Sequence, residues 1–164
     1  MTRNMMDVMV PFYFQMSKRL KRIETKFTDF LLGWNSQVMN FLHNQKAWYE
    51  NKSVPLDFLH ITYEGTKTNP EEALFRILRF MGVEEINPEI VKSSIAYASF
   101  ENMKNLERKG KIDDFRFQPG DRDNPESFKT RRGKVGGYLD YLVEDDIELI
   151  DLLASRLGNP LVTF

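Results

Sequence analysis

The 164 residues suffice for one domain, and 41% hydrophobic against 29% charged content excludes a fully disordered chain. Lys plus Arg number 23 and Asp plus Glu 24, so the formal charge of -1 excludes the strong global field of a nucleic-acid or anionic-membrane binder. The absence of Cys excludes a disulfide framework, Cys-ligated zinc and thiol catalysis, and 2 His residues argue against a multi-His site, so no metal is expected. No apolar run approaches the ~20 residues of a membrane span, and residues 1–10 make a poor signal peptide, so a cytoplasmic location is expected.

The chain opens on an apolar run, Met5 to Val10, followed by Pro11-Phe12-Tyr13-Phe14. Asn4 as N-cap with Asp7 three residues on makes a weak capping box, which puts Pro11 inside a helix at a cost of ~3 kcal/mol. Alternatively, residues 5–10 are extended and a helix begins at Pro11. Both readings remain open at this point. Phe12, Met16, Leu20, Ile23, Phe27, Phe30 and Leu31 recur at helical spacing up to Gly33, with a break expected near Thr25 to Thr28. The basic run Lys18 to Arg22 reads as a solvated helix face.

Val38, Phe41, Leu42, Gln45, Trp48 and Tyr49 mark a second helix, capped by Asn35 or Ser36. Leu56 to Tyr63 has the pattern of a buried strand. Asn69-Pro70-Glu71-Glu72 starts a helix with a buried stripe of Leu74, Ile77, Leu78 and Met81, ended by Gly82. Asn87-Pro88-Glu89 starts another that reaches about Tyr97, and Ser99 caps a short one ending near Gly110. From Lys111 to Gly137 periodicity stops, and an irregular stretch of this length is functional or disordered. A last helix is predicted over 144–157, with Ile147, Ile150, Ala154 and Leu157 on one face and Gly158 as its stop.

Arg131-Arg132-Gly133-Lys134-Val135-Gly136-Gly137 is the best local site. Two Arg and a Lys surround glycines whose backbone N–H groups can form an anion-binding nest. A flexible basic surface turn is the competing reading. No Walker A loop is present, because Gly133-Lys134 runs into Val135 and Gly110-Lys111 into Ile112. His43 and His60 read as structural rather than as bases, and no Ser-His-Asp set or glycosidase acid pair can be argued.

Taken together, four segments in order resemble the C-terminal half of sulfotransferases that use 3′-phosphoadenosine 5′-phosphosulfate (PAPS), the bacterial members above all. Ser127 to Tyr138 resembles the family's Arg-Lys/Arg-Gly-x-x-Gly-x-aromatic loop, which holds the 3′-phosphate. Ser99-Phe100-Glu101-Asn102-Met103-Lys104 resembles the segment whose Phe contacts adenine. Thr62-Tyr63-Glu64 with Asn69-Pro70 resembles the strand end whose Tyr also lies by adenine. Thr2-Arg3-Asn4 with Asp7-Val8 resembles the segment whose Arg grips the 3′-phosphate. The resemblance implies phosphate contacts from Arg3, Arg131, Arg132 and Gly133, and nucleoside contacts from Tyr63, Ser99 and Phe100. It turns the 131–137 loop toward phosphate binding.

Departures from the family pattern are Met5 where it has Pro after Arg-Asn, and Pro11 where it has a phosphate-binding Ser. The family's dimer motif is poorly kept at Leu139, Val143, Glu144 and Glu148, so dimerisation through it is not expected. By the resemblance, the opening strand, the phosphosulfate loop with its Lys and the catalytic His belong before Met1. No catalytic residue is therefore assigned here. The expected fold is the α/β, P-loop-NTPase-like sulfotransferase fold, truncated so that this chain is mainly α with few strands. Residues 1–164 are then the C-terminal part of a single sulfotransferase domain.

The implied function is binding of PAPS, or of its product 3′-phosphoadenosine 5′-phosphate, and sulfuryl transfer to a hydroxyl or amine acceptor. This chain alone is expected to be inactive. The implied partners are the nucleotide, an unidentified small-molecule acceptor and a missing N-terminal half, with no nucleic acid and no membrane span. The competing readings are a non-catalytic relic or nucleotide-binding interaction module, and a helical nucleic-acid binder, which the near-neutral charge opposes.

Overall fold

A computed structural model of the chain describes residues 1–33 and 35–156, and the side chains of all of these except 35–37 and 115. The caps expected at Asn35 or Ser36 and the helix end expected at Leu157 and Gly158 lie outside the described residues.

Helix α1 spans Met5–Phe14. Asn4 caps it by accepting from the Met6 and Asp7 N–H groups at 2.9 and 3.2 Å. Pro11 lies inside the helix, which resolves the two readings of the opening run. The helix survives the lost hydrogen bond because Met5, Met6, Met9 and Val10 are almost wholly buried. Beyond Pro11 the helix widens into a π turn, Gln15–Arg19, and the chain breaks at 20–26, earlier than expected. Lys21 takes φ +50° there.

Helices α2 (Phe27–Gly33), α3 (Asn35–Glu50) and, at the far end of the chain, α8 (Glu144–Arg156) pack on α1. Phe30, Leu31, Val38, Leu42, Ile150 and Ala154 complete this core. Tyr13 meets Phe27 and Phe30 edge-on with centroids 5.4 and 5.5 Å apart. Thr28 Oγ1 donates to the buried Asp146 carboxylate at 2.9 Å and ties α2 to the first turn of α8. On α3 the expected stripe is correct at Val38, Leu42 and Gln45, but Trp48 is 67% exposed.

The intervening helices α4 (Tyr63–Thr68), α5 (Pro70–Phe80), α6 (Pro88–Tyr97) and α7 (Phe100–Arg108) follow one another as an outer array. The starts of α5, α6 and α7 are those read from sequence, whereas α4, capped by Thr62, was not expected: Asn69 accepts from Glu72 N–H, Asn87 from Glu89 and Ile90, and Ser99 from Asn102. The buried stripe expected on α5 is corrected in depth: Leu74, Ile77 and Leu78 are half-buried, only Ala73 of that helix is buried, and Met81, just beyond it, is 70% exposed.

The expected strand Leu56 to Tyr63 is also corrected. Among the described residues there is no strand, only an isolated parallel bridge between Thr2 and Thr62. Thr2 N–H donates to Ile61 O at 3.0 Å and Tyr63 N–H to Thr2 O at 2.8 Å. Thr2 reaches the segment but supplies no ladder, and Leu56 is fully exposed. The fold is thus more purely helical than "few strands" implied.

The core and outer array differ in what a truncation costs. Leu42→Ala should destabilise the chain by about 2–5 kcal/mol and Met81→Ala by less than about 0.5 kcal/mol in urea unfolding. Equal effects would contradict a core centred on α1, α2, α3 and α8.

Candidate functional site

The irregular stretch between α7 and α8 is held down by buried carboxylates. Glu107, at the end of α7 and 2% exposed, accepts from Lys129 N–H at 2.7 Å, Thr130 N–H at 2.8 Å and Thr130 Oγ1 at 2.5 Å. Asp7, 2% exposed in the first turn of α1, accepts from Gly136 N–H at 2.7 Å and Tyr138 N–H at 3.1 Å. Its capping-box reading is corrected, since the Asn4 N–H donates instead to Glu64 at 3.0 Å. Ser127, wholly buried, closes the turn before the loop by donating to Asp121 O at 2.5 Å.

The basic run on the π turn has one structural member. Arg19 donates to Gln118 O at 3.1 Å, to Arg116 O and to Gln15 Oε1 at 2.8 Å. Gly120 lies against the Arg19 backbone so closely that a Cβ would sit 2.8 Å from its Cα. Arg19 therefore fastens the 111–120 segment rather than facing solvent.

These anchors and α1 enclose a cavity of about 330 Å³. Arg3, Tyr63, Phe100, Arg131, Arg132 and Gly133 all line it. Ser99, the seventh residue singled out by sequence, does not. It is exposed and acts as the cap of α7.

The four cationic and aromatic contributions differ. Arg3 lies over the Tyr63 ring at 4.1 Å and donates to Lys134 O at 3.4 Å, while its Nε is buried without a partner. Arg131 is sandwiched between Phe14 and Tyr141, 4.1 and 4.8 Å from the ring centroids, and donates to Glu126 Oε2 at 2.9 Å and to Tyr141 Oη. Its side chain is 9% exposed. Arg132 is 45% exposed and pairs with Asp140 at 3.1 Å. Lys67, outside the cavity wall, lies 5.6 and 5.9 Å from the centroids of Tyr63 and Phe100 and bridges the two rings. Gly133, at φ +61°, is in contact with the Phe100 ring, which a Cβ would overlap.

Neither histidine lines the cavity. The His60 ring shares a 2.8 Å hydrogen bond with Thr2 Oγ1, and burial, the N-terminal ammonium and Arg76 hold its basicity below the ordinary value. Among the described residues no group of three His, Cys, Asp or Glu side chains could hold a metal ion, and no helix is long and apolar enough to cross a membrane.

The sulfotransferase domain family matches residues 1–156, and the chain belongs to that family. Cytosolic sulfotransferase 12 of Arabidopsis thaliana is 32% identical over 115 residues, 66% of this chain and 32% of that protein. Sulfotransferase 1B1 of Canis lupus familiaris is 26% identical over 162 residues, 95% of this chain and 52% of that protein. Flavonol 4'-sulfotransferase of Flaveria chlorifolia is 28% identical over 165 residues, 94% of this chain and 50% of that protein. The chain spans from about a third to about half the length of these curated relatives.

Glu107 and Glu126 escaped the residue-by-residue reading. Asp7 was read as a local cap and as part of the Arg3 segment, not as an anchor of the loop, and nothing in its neighbours marks Glu107 as the acceptor for a loop 22 residues away.

Two outcomes test this architecture. Gly133→Ala should lose about 1–3 kcal/mol in chemical unfolding, since both the positive φ and the Phe100 contact oppose a Cβ. Wild-type stability would contradict that contact. The second concerns Asp114, whose carboxyl the Arg116 side chain and backbone N–H hold down to about 2 from an ordinary 3.8. Its folded value lies below its unfolded one, so its contribution is present above about pH 4 and lost as pH falls through about 2. The stability deficit of Asp114→Asn should therefore be present near pH 5 and shrink away by about pH 2. A deficit independent of pH would contradict the pairing.

Proposed function

We propose that residues 1–164 are the C-terminal, nucleotide-holding part of a single sulfotransferase domain. Its ligand is PAPS or 3′-phosphoadenosine 5′-phosphate, and the whole protein transfers the sulfuryl group to a hydroxyl or amine acceptor. The observation that carries this reading is one cavity lined by two aromatic faces, Tyr63 and Phe100, and by Arg3, whose buried Nε has no partner. A 3′-phosphate answers such a donor, and adenine answers the rings.

In this reading Arg3 and Arg132 hold the phosphate, the loop at Gly133 brings the backbone close, and Tyr63 and Phe100 flank the base. Arg131 supports the loop from behind through Glu126, Tyr141 and Phe14. Ser99 acts through the start of α7, which carries Phe100. In-line transfer needs a base and positive charge at the leaving group. The described residues of the cavity supply charge and include no histidine.

The parent fold we propose is the P-loop-like α/β fold of the family. Two observations favour it. Thr2 pairs in parallel with Thr62, and residues 57–60 run beside a second, mostly apolar cavity of about 420 Å³ lined by Phe41, Trp48, Phe58 and Phe80. Further strands of a parallel sheet, from an N-terminal half, fit that face. The relatives named as cytosolic support a cytoplasmic location for this chain as well.

Calorimetric titration of the chain tests the reading. 3′-Phosphoadenosine 5′-phosphate should bind saturably and at least about tenfold more tightly than adenosine 5′-phosphate, the increment of a charge-assisted phosphate contact. Arg3→Ala/Arg132→Ala should abolish that preference. Equal affinity for the two nucleotides would remove the 3′-phosphate site.

A further inference from the structure

We propose that Asp140 is an internal counter-anion of the nucleotide site, a residue that sets its affinity and its selectivity for a 3′-phosphate. The inference rests on the nucleotide reading above and extends it to a residue that no motif marks.

Asp140 ends the short 3-10 turn Gly137–Asp140. Asp7 holds the backbone around the start of that turn, at Gly136 and Tyr138, so the position of Asp140 is set by buried hydrogen bonds. Its carboxylate bridges two cations. Arg132 Nη1 lies 3.1 Å from Oδ2, and Lys134 Nζ lies 3.1 and 3.3 Å from the two oxygens. Both cations line the cavity, and Asp140 does not. Glu126 is a further carboxylate near Arg132, 3.9 Å from its Nη2 and engaged at 2.9 Å with Arg131.

One carboxylate between an Arg and a Lys reproduces the contacts a phosphate oxygen pair would make. Arg132 and Lys134 are 45% and 53% exposed on long flexible stems, so they can turn from Asp140 to a ligand while the carboxylate stays where the turn holds it. A phosphate dianion and Asp140 then compete for the same two cations. The exchange favours a phosphate, with its greater charge, and disfavours a neutral group. Asp140 thus lowers affinity for a 3′-phosphate in particular and tempers the preference for it over a nucleotide that lacks one.

Asp140→Asn keeps the shape and removes the charge. In calorimetric titrations this variant should bind 3′-phosphoadenosine 5′-phosphate about five- to tenfold more tightly than wild type, as expected for releasing partly exposed ion pairs. Affinity for adenosine 5′-phosphate should change less than about twofold, because it lacks the group that competes. Binding that appears only in the variant also supports the proposal. Weaker or unchanged binding by Asp140→Asn, with wild type binding normally, would overturn it by showing that Asp140 orients the cations or leaves them unaffected. Equal tightening of both nucleotides would also overturn it, in favour of a general field effect. If both proteins unfold cooperatively and neither binds the bisphosphate, the nucleotide reading itself fails and the counter-anion with it. Asp140→Ala, carried through the same titrations, separates loss of charge from any new hydrogen bond made by Asn.

Discussion

The carboxylate of Asp7 joins the two ends of the site. It belongs to the first turn of α1 by sequence and to the 131–138 loop by hydrogen bonding, 129 and 131 residues away from its partners. A carboxylate this buried is tolerable only where donors replace the water it has lost. Hydrogen bonds to a charged acceptor contribute about 1.5–3 kcal/mol each, so two of them are strong against the entropy of ordering a glycine-rich turn. Without that contact Arg3 and Arg132 would sit on segments with little reason to meet. Glu107 performs the same service at the other end of the loop, with three donors on one carboxylate. The loop is thus fixed by negative charge from behind and presents positive charge to the cavity in front.

The hydrophobic core supports this arrangement from a distance. It draws on α1, α2 and α3 from the first third of the chain and on α8 from its last part. Closing these ends together brings Arg3 beside Lys134. The outer array from α4 to α7 buries little apolar surface of its own. It contributes instead at its helix starts, where Tyr63 and Phe100 are the first residues of α4 and α7. Capping by Thr62 and Ser99 therefore does more than end-stop two helices. It sets the positions of the two rings that line the cavity.

The legible parts of the sequence were those whose physics is local. Asn4, Asn69, Asn87 and Ser99 each cap the helix they precede, because a cap needs only the next three backbone N–H groups. Leu56 to Tyr63 failed as a strand because pairing depends on a neighbour that periodicity cannot reveal, and Thr2 alone makes a bridge. The α5 stripe fell short for the same reason: an amphipathic pattern shows which face seeks cover, not whether cover is present. Asp7 was seen but given the wrong partner, since a capping box and a long-range loop anchor look alike in sequence. Glu107 carries no local signal at all.

Arg131 and Arg132 show how far a motif falls short of a geometry. The resemblance treats the adjacent pair alike, yet the two side chains, which share the cavity wall, Tyr141 and Glu126, are held to different degrees. Arg131 is packed between two aromatic rings with Glu126 and Tyr141 on its donors, so drawing it toward a ligand would break both of those contacts and leave Glu126 with the Tyr141 hydroxyl at 3.2 Å. Breaking such a largely buried pair costs more than an exposed contact can return. Arg132 is half exposed, its attraction to Asp140 is weakened by solvent, and its guanidinium can be redirected at small cost. In the proposed reading the loop is divided between neighbours, with the inner arginine giving it shape and the outer one giving it a movable charge.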